Sequence, residues 1–313
     1  MTPTFPAPMI RRMRIAILGA GGVGGYYGAK LTQAGHDVTL LARGEHLDAI
    51  RKNGIVIKDH DSTFTVPVKA TDRPDDLRGA DWAMLAVKSY SVAELADVIV
   101  MLAKSGTAIV PALNGVTTAE NLEAAGVPRA QILGGTTIMN AHKIAAGMIE
   151  RLSNRERFAV GELDGTMSER VEAIAAAMRS AGDEAVATRE IVLELWQKFN
   201  MLCACAAACG MARSDLGAIR DTELGRLLID RAVREIAAVA RALRVPIPAT
   251  QEEDALARIA ALPATLKPSF VLDVERGGPT ELDVLSGAVS RFGRQTGVPT
   301  PVHDTAAAVL GTL

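Results

Sequence analysis

Aromatic residues are scarce in this 313-residue chain, at 4% in all with two Trp, three Tyr and six Phe. Any sizeable core must therefore be built from aliphatic side chains and alanine. An excess of one charge is also lacking. Lys and Arg number 34 against 36 Asp and Glu, for a formal net charge of −2. Nothing in that balance points to a nucleic-acid or anionic-membrane partner. Cysteine is limited to Cys203, Cys205 and Cys209, close together in one apolar run. A zinc site asks for a fourth ligand and C-x-x-C-type spacing, and neither is present. The thiols read instead as small core residues, with Cys205 and Cys209 stacked on one helix face. The lack of a disulfide framework fits a reducing, cytoplasmic compartment. The apolar run Phe199 to Ala212 is too short by itself to span a bilayer and reads as a buried core helix. Met1 to Pro8 is rich in proline and has no long apolar centre, so residues 1–12 are expected to be a disordered lead-in rather than a signal peptide.

What is present begins with Arg14-Ile15-Ala16-Ile17-Leu18-Gly19-Ala20-Gly21-Gly22-Val23-Gly24-Gly25. A short apolar strand ends in G-x-G-x-x-G (Gly19, Gly21, Gly24), and a helical stretch then runs to Ala34, with Gly35 placed to cap it. Gly19 permits the tight turn, Gly21 lets backbone approach a diphosphate, and Gly24 lets helix and strand pack closely. The helix N-terminus adds free N–H groups and a partial positive charge. A second strand, Asp37 to Leu41, follows, which completes the context of a dinucleotide fingerprint. At the end of that strand NAD-preferring folds carry an acid. Here Leu40, Leu41 and Ala42 are followed by Arg43, a residue that accommodates a 2′-phosphate, so NADP is favoured. His46 reads as a plain surface histidine.

Gly54 to Lys58 and Phe64 to Val68 look like a hairpin inserted beside a parallel sheet. Asp81 to Val87 is a buried strand with Lys88 at its C-terminal end, the edge where open α/β sheets bind ligands. Lys88 is either a cofactor contact or a strand-end lysine in solvent. Ala108 to Leu113 is another strand. Asn114 after it is either a ligand contact or the N-cap of the next helix. Further strands are expected at Gln131 to Ile138, Gly147 to Leu152, Arg157 to Val160 and Glu184 to Ala187, with a helix at Met167 to Ala181. From Thr188 the pattern becomes helical. Lys198 precedes a nearly charge-free segment, and from pattern alone it either snorkels to water or faces a cleft as a proton donor. Asp221 to Leu243 reads as one amphipathic helix, and the chain ends in a short apolar tail. The fold class is α/β: a Rossmann-type doubly wound domain at 13–187 and an all-α domain at 188–313, which would supply the other wall of a substrate cleft.

Taken together, these residues resemble the ketopantoate reductase (2-dehydropantoate 2-reductase) family. The likeness rests on the glycine turn, Arg43, Val87-Lys88, Leu113-Asn114-Gly115, Trp196-x-Lys198, Ser269, Asp273 and Glu281-Leu282-Asp283. It implies an NADPH-dependent reductase of a small 2-oxo acid. The cofactor would lie on Gly19, Ala20, Gly21, Gly22, Val23 and Gly24, with Arg43 and Lys88 near its 2′-phosphate end. Lys198 would be the general acid and Glu281 would orient it, touching cofactor and substrate. Ser269 would hold the substrate carboxylate, Asp273 would join the substrate set, and Asn114 would sit by the nicotinamide ribose. The family usually carries asparagines four and eight residues after the lysine, where this chain has Leu202 and Ala206. Asn200 is about 200° around the helix from Lys198 and cannot simply replace them. Two alternatives follow: a reductase of a more apolar 2-oxo acid, and an NADPH-binding redox sensor without catalysis. A sensor would need neither Lys198 nor Glu281. The Ala-rich helices could support a homodimer.

Overall fold

The computed structural model describes residues 11–60, 62–153 and 156–312. The expected lead-in therefore lies outside the described residues except for Arg11 and Arg12. The chain divides into two compact units. The first extends to Ile191, and the second is Val192–Leu313 together with the short segments Lys88–Tyr90 and Asn114–Thr118. Lys88 and Asn114, expected in the first domain, thus belong with the second unit.

In the first unit, β1 (Arg14–Leu18), α1 (Gly22–Gln33), β2 (Asp37–Leu41) and α2 (Gly44–Asn53) come first. β3 (Ile55–Asp59), β4 (Ser62–Val66), β5 (Lys69–Thr71) and β6 (Trp82–Leu85) follow. Then come α3 (Ala96–Lys104), β7 (Ala108–Pro111), α4 (Thr118–Ala124) and β8 (Leu133–Ile138). β9 (Ala141–Ala145), β10 (Met148–Arg151), β11 (Arg157–Glu162), α5 (Glu169–Ser180) and β12 (Glu184–Ala187) complete it. Five strands form the main sheet in the order β5-β2-β1-β6-β7, and every pairing in it is parallel. The strand order reverses between β1 and β6, the kind of switch point where such sheets bind ligands.

β6 and β7 are buried along their whole length, and β1 from Ile15 on. That explains why they read as continuous apolar runs: both faces of a parallel sheet are covered. Tyr27 on α1 packs edge-on to Phe158 at 6.0 Å between ring centroids. Its hydroxyl is satisfied by Thr137 Oγ1 at 2.7 Å, so one of the few aromatics is buried without an orphaned polar atom.

The expected hairpin is present as β3 and β4, but it belongs to a separate four-stranded sheet, β4-β3-β10-β9. β11 pairs with β8 and β12 in a third sheet. β5 and β9 are additions to the sequence reading. Lys69-Ala70-Thr71 is too short, and Ala141 to Ala145 too mixed in polarity, to stand out as strands.

The second unit is built from α6 (Ile191–Ala212), α7 (Leu216–Arg220), α8 (Glu223–Ala242), α9 (Gln251–Ala261), α10 (Ser269–Glu275), α11 (Ser286–Thr296) and α12 (Pro301–Leu310). Cys203 to Cys209 is buried throughout and forms the centre of this unit's core. The whole of α6 is 22 residues, long and apolar enough by length and composition to cross a membrane. The run Phe199 to Ala212 is the C-terminal part of this helix and lies in the core as expected. The helix starts well before Phe199, and 56% of its most apolar window is buried inside the protein. The expected Asp221–Leu243 helix starts two residues later, because Thr222 caps it by accepting from Gly225 N–H at 3.1 Å. The expected apolar tail is instead α12. Its first turn is held by the buried Glu235 carboxylate, which accepts from Val302 N–H at 2.8 Å and His303 N–H at 3.1 Å.

Candidate functional site

The glycine turn lies between β1 and α1, beside the end of β6. Gly19 has φ +106°, and a Cβ there would come within 2.5 Å of Val87 Cγ1 and 2.7 Å of the Ala86 carbonyl. Only glycine meets both demands. A Cβ on Gly24 would lie 2.0 Å from the Gly19 carbonyl oxygen, so α1 packs on the turn at a distance no side chain allows. A Cβ on Gly21, by contrast, would meet nothing within 4 Å. Open space at Gly21, and an α1 N-terminus without a side-chain cap, fit a diphosphate seated on the N–H groups of Gly22, Val23 and Gly24.

Ala20 is held from behind by His46 in α2. Gly147 N–H donates to His46 Nδ1 at 2.9 Å, which fixes the proton on Nε2, and Nε2–H donates to the Ala20 carbonyl at 2.7 Å. Burial lowers the His46 pKa and Lys143 adds to that, while the Ala20 bond opposes it. The sequence reading treated His46 as a surface residue and missed this. A lone histidine five residues past a strand end carries no local signal of the carbonyl it reaches. Arg43, the residue before α2, is exposed and pairs with Glu94 at 3.4 Å. An ion pair so open to solvent is weak, and the guanidinium can exchange Glu94 for a phosphate.

In the second unit, Asn114, Lys88, Asp273 and Glu281 come together. Glu281 is 3% exposed. Its Oε1 accepts from Ser89 N–H at 3.1 Å and its Oε2 from Asn114 Nδ2 at 3.0 Å. Lys88 Nζ donates to Asp273 Oδ2 at 2.6 Å and lies 3.7 Å from Glu281 Oε2. Burial opposes the Lys88 charge, but Glu281 and the Asp273 bond outweigh it and hold its pKa above the ordinary lysine value. Lys88 is thus brought together with two acids of its own unit. Ser89 is a further residue that sequence reasoning did not single out; its contribution is a backbone N–H, invisible in residue type. Ser269 begins α10 and Asp273 lies four residues on, so the two share a helix face.

Lys198 lies on α6, half-buried. Among the described residues its ammonium has no hydrogen-bond or ion-pair partner. Burial pushes its pKa down to about 8, and Glu281 pulls the other way. An amine so placed is protonated at neutral pH yet close to giving its proton up, as a general acid requires. Four and eight residues on, Leu202 and Ala206 are apolar and packed in the core cluster of this unit. Asn200 is buried, and its amide oxygen lacks a hydrogen-bond partner.

Comparison with known proteins identifies the family of the chain. Residues 15–165 match the model of the family described as ketopantoate reductase PanE/ApbA, and residues 190–313 match that of its C-terminal part. The chain is 31% identical over 321 residues to 2-dehydropantoate 2-reductase of Mesorhizobium japonicum, covering 96% of this chain and 98% of that one. It is 29% identical over 293 residues to the uncharacterized oxidoreductase YkpB of Bacillus subtilis, covering 94% and 96%. Among solved structures, a PanE/ApbA family ketopantoate reductase from Ralstonia eutropha JMP134 superposes with a TM-score of 0.86 at 27% identity, covering 96% and 98%. A ternary structure of D-mandelate dehydrogenase with NADH and anilino(oxo)acetate shares the fold, with a TM-score of 0.87 at 22% identity and coverage of 96% and 98%. The chain belongs to the ketopantoate reductase PanE/ApbA family, oxidoreductases that act on 2-oxo acids.

Proposed function

We propose that this protein reduces ketopantoate to pantoate with NADPH, a step of pantothenate biosynthesis, in the cytoplasm. The observation that carries the reading is the state of Lys198: a half-buried ammonium with its pKa lowered to about 8 and under the influence of Glu281. The nicotinamide cofactor, when bound, supplies the hydride. Gly22, Val23 and Gly24 would hold its diphosphate through their N–H groups, and Arg43 would meet the 2′-phosphate. Ser269 donates its hydroxyl to the carboxylate of the 2-oxo acid, and Asn114 and Asp273 complete the polar set around it. Lys198 donates to the keto oxygen. As the carbonyl carbon takes up hydride, that oxygen takes the lysine proton and becomes the hydroxyl of the product. The neutral amine then regains a proton from solvent. Glu281 orients the ammonium and keeps it charged. Its own position is fixed by Ser89, Asn114 and Lys88, so Lys88 acts here on the acids rather than on a phosphate. A positioned general acid is worth about 10²–10⁴ in rate.

A second reading concerns the substrate. Leu202 and Ala206 offer no hydrogen bond where relatives place asparagines, and two such bonds are worth roughly 10²–10⁴ in affinity. This favours a 2-oxo acid with a larger apolar side chain and fewer hydroxyls. Retention of both Lys198 and Glu281 speaks against a non-catalytic redox sensor. The test is the loss of NADPH absorbance with ketopantoate and with a series of 2-oxo acids of increasing apolar bulk. Highest kcat/KM with ketopantoate supports the first reading. A preference for a bulkier apolar acid replaces it with the second, and no turnover with any 2-oxo acid rejects both.

A further inference from the structure

The glycine turn holds no cation of its own. α1 carries one basic residue, Lys30, and it stands in the last turn of the helix. A dinucleotide's diphosphate bears about two negative charges, while a helix N-terminus offers roughly half a positive charge. β9 brings a cation to the turn. Its first residue, Ala141, crosses the start of α1, so that a Cβ on Gly22 would lie 1.9 Å from the Ala141 carbonyl oxygen. Just past its end, Gly147 N–H donates to His46 Nδ1, and His46 in turn ties down the Ala20 carbonyl. The strand is thus pinned to the turn on both sides, and Lys143 is its middle residue.

Register fixes the side from which the lysine projects. Lys143 stands opposite Ile149 of β10, and residues opposite each other in an antiparallel pair share a face. Ile149 is fully buried against α1, with Cγ1 and Cδ1 3.1 Å from where a Cβ on Gly25 would lie. The step from β10 to the edge strand β9 runs from Gly25 to Gly22, toward the N-terminus of α1. Lys143 is therefore on the face that looks at α1, but at the mouth of the turn, where it is exposed. Its charge is felt there: burial lowers the His46 pKa, and Lys143 lowers it further. Among the described residues the ammonium has no hydrogen-bond or ion-pair partner. The neighbouring acid Glu150 is on the other face of the strand pair and is engaged by Lys58 at 2.6 Å. We propose that Lys143 is a cofactor-binding residue whose ammonium pairs with the diphosphate of the nicotinamide dinucleotide. The inference rests on the reading of the glycine turn as the diphosphate seat. It differs from the role given to Arg43, because the diphosphate is common to NADPH and NADH while the 2′-phosphate is not.

The experiment is isothermal titration calorimetry of the full chain with NADPH, NADH and ADP-ribose, at low and at high salt. Lys143→Gln should raise the dissociation constant of all three about tenfold, the lower end for a charged hydrogen bond because the site is open to solvent. Lys143→Arg keeps the charge and should stay within a factor of about three of wild type. Binding to wild type should weaken with salt more steeply than binding to Lys143→Gln, since the variant has lost a screened charge pair. A merely structural role would leave that slope unchanged. Wild-type affinities retained in Lys143→Gln overturn the proposal, and so does an equal salt slope. A loss confined to NADPH also overturns it, by moving the lysine to the 2′-phosphate. In each of these cases the glycine turn keeps its role. A wild type that binds none of the three nucleotides rejects the turn as a diphosphate seat, and the proposal with it.

Discussion

Asn114 donates its carboxamide to Glu281 at 3.0 Å, joining two loop residues 167 positions apart in the chain. Together with Ser89 N–H and Lys88 it leaves Glu281 little freedom to move. That carboxylate acts in turn on Lys198 by raising its pKa against the effect of burial. Removing the charge should therefore lower the lysine pKa further. For wild type, kcat/KM for reduction is expected to be level below about pH 8 and to fall tenfold per pH unit above it, because the proposed proton donor is the acid form of Lys198. In Glu281→Gln the break should move to lower pH, with kcat down roughly 10- to 100-fold from the misdirected ammonium. A pH–rate profile of both enzymes checks this. A break that stays in place would separate Glu281 from Lys198.

Among the described residues Arg43 pairs only with an exposed Glu94, and it is free to change partners. Arg43→Ala should weaken NADPH by about 1.5–3 kcal/mol, the worth of a charged hydrogen-bonded contact, or roughly 10- to 100-fold. NADH binding should change little. Fluorescence titration of both cofactors gives the ratio. Equal losses would assign Arg43 a structural role.

His46 ties the Ala20 carbonyl to Gly147 N–H. His46→Ala removes both bonds and should weaken NADPH and NADH alike, by roughly 1–2 kcal/mol, because the diphosphate turn and not the 2′-phosphate is disturbed. His46→Gln carries one donor and one acceptor and should recover most of the loss. The same titration reads the outcome.

Asp183 is buried, and burial outweighs the Tyr27 hydroxyl and the Glu184 N–H, which favour its charged form. Burial raises its pKa to about 6 from an ordinary 3.8. A raised acid pKa means that the folded state holds the proton more tightly than the unfolded state. The penalty is thus absent below about pH 4, grows between pH 4 and 6, and is complete above pH 6. Asp183→Asn should stabilise the protein by about 2–3 kcal/mol at pH 8 and by little at pH 4. Thermal unfolding at the two pH values tests the sign as well as the size.

How much of this could be read in advance depends on how local the constraint is. The glycine turn was legible because its steric demands fall on consecutive residues: Gly19 needs a positive φ, and Gly24 must clear the Gly19 carbonyl. The parallel sheet was legible because strands covered on both faces become apolar runs. The grouping of Lys88 with Asp273 and Glu281 was not, because a strand-end lysine looks the same whether it meets a phosphate, solvent or an acid 185 residues away. His46 was missed for the same reason, since its partners are backbone groups. Lys198 stood out in pattern only as a charge ahead of an uncharged helix. The likeness to a family, rather than periodicity, gave it a role. The mixed β9 and the three-residue β5 exist because neighbouring strands accept them, which no local pattern records.

The account turns on one proton. Lys198→Ala, assayed for turnover of the best 2-oxo acid and for NADPH binding in the same preparation, tests it most directly. Turnover is expected to fall by about 10²–10⁴ while the NADPH dissociation constant stays within a factor of about three. Undiminished turnover would remove Lys198 as the donor, and with it the proposed mechanism.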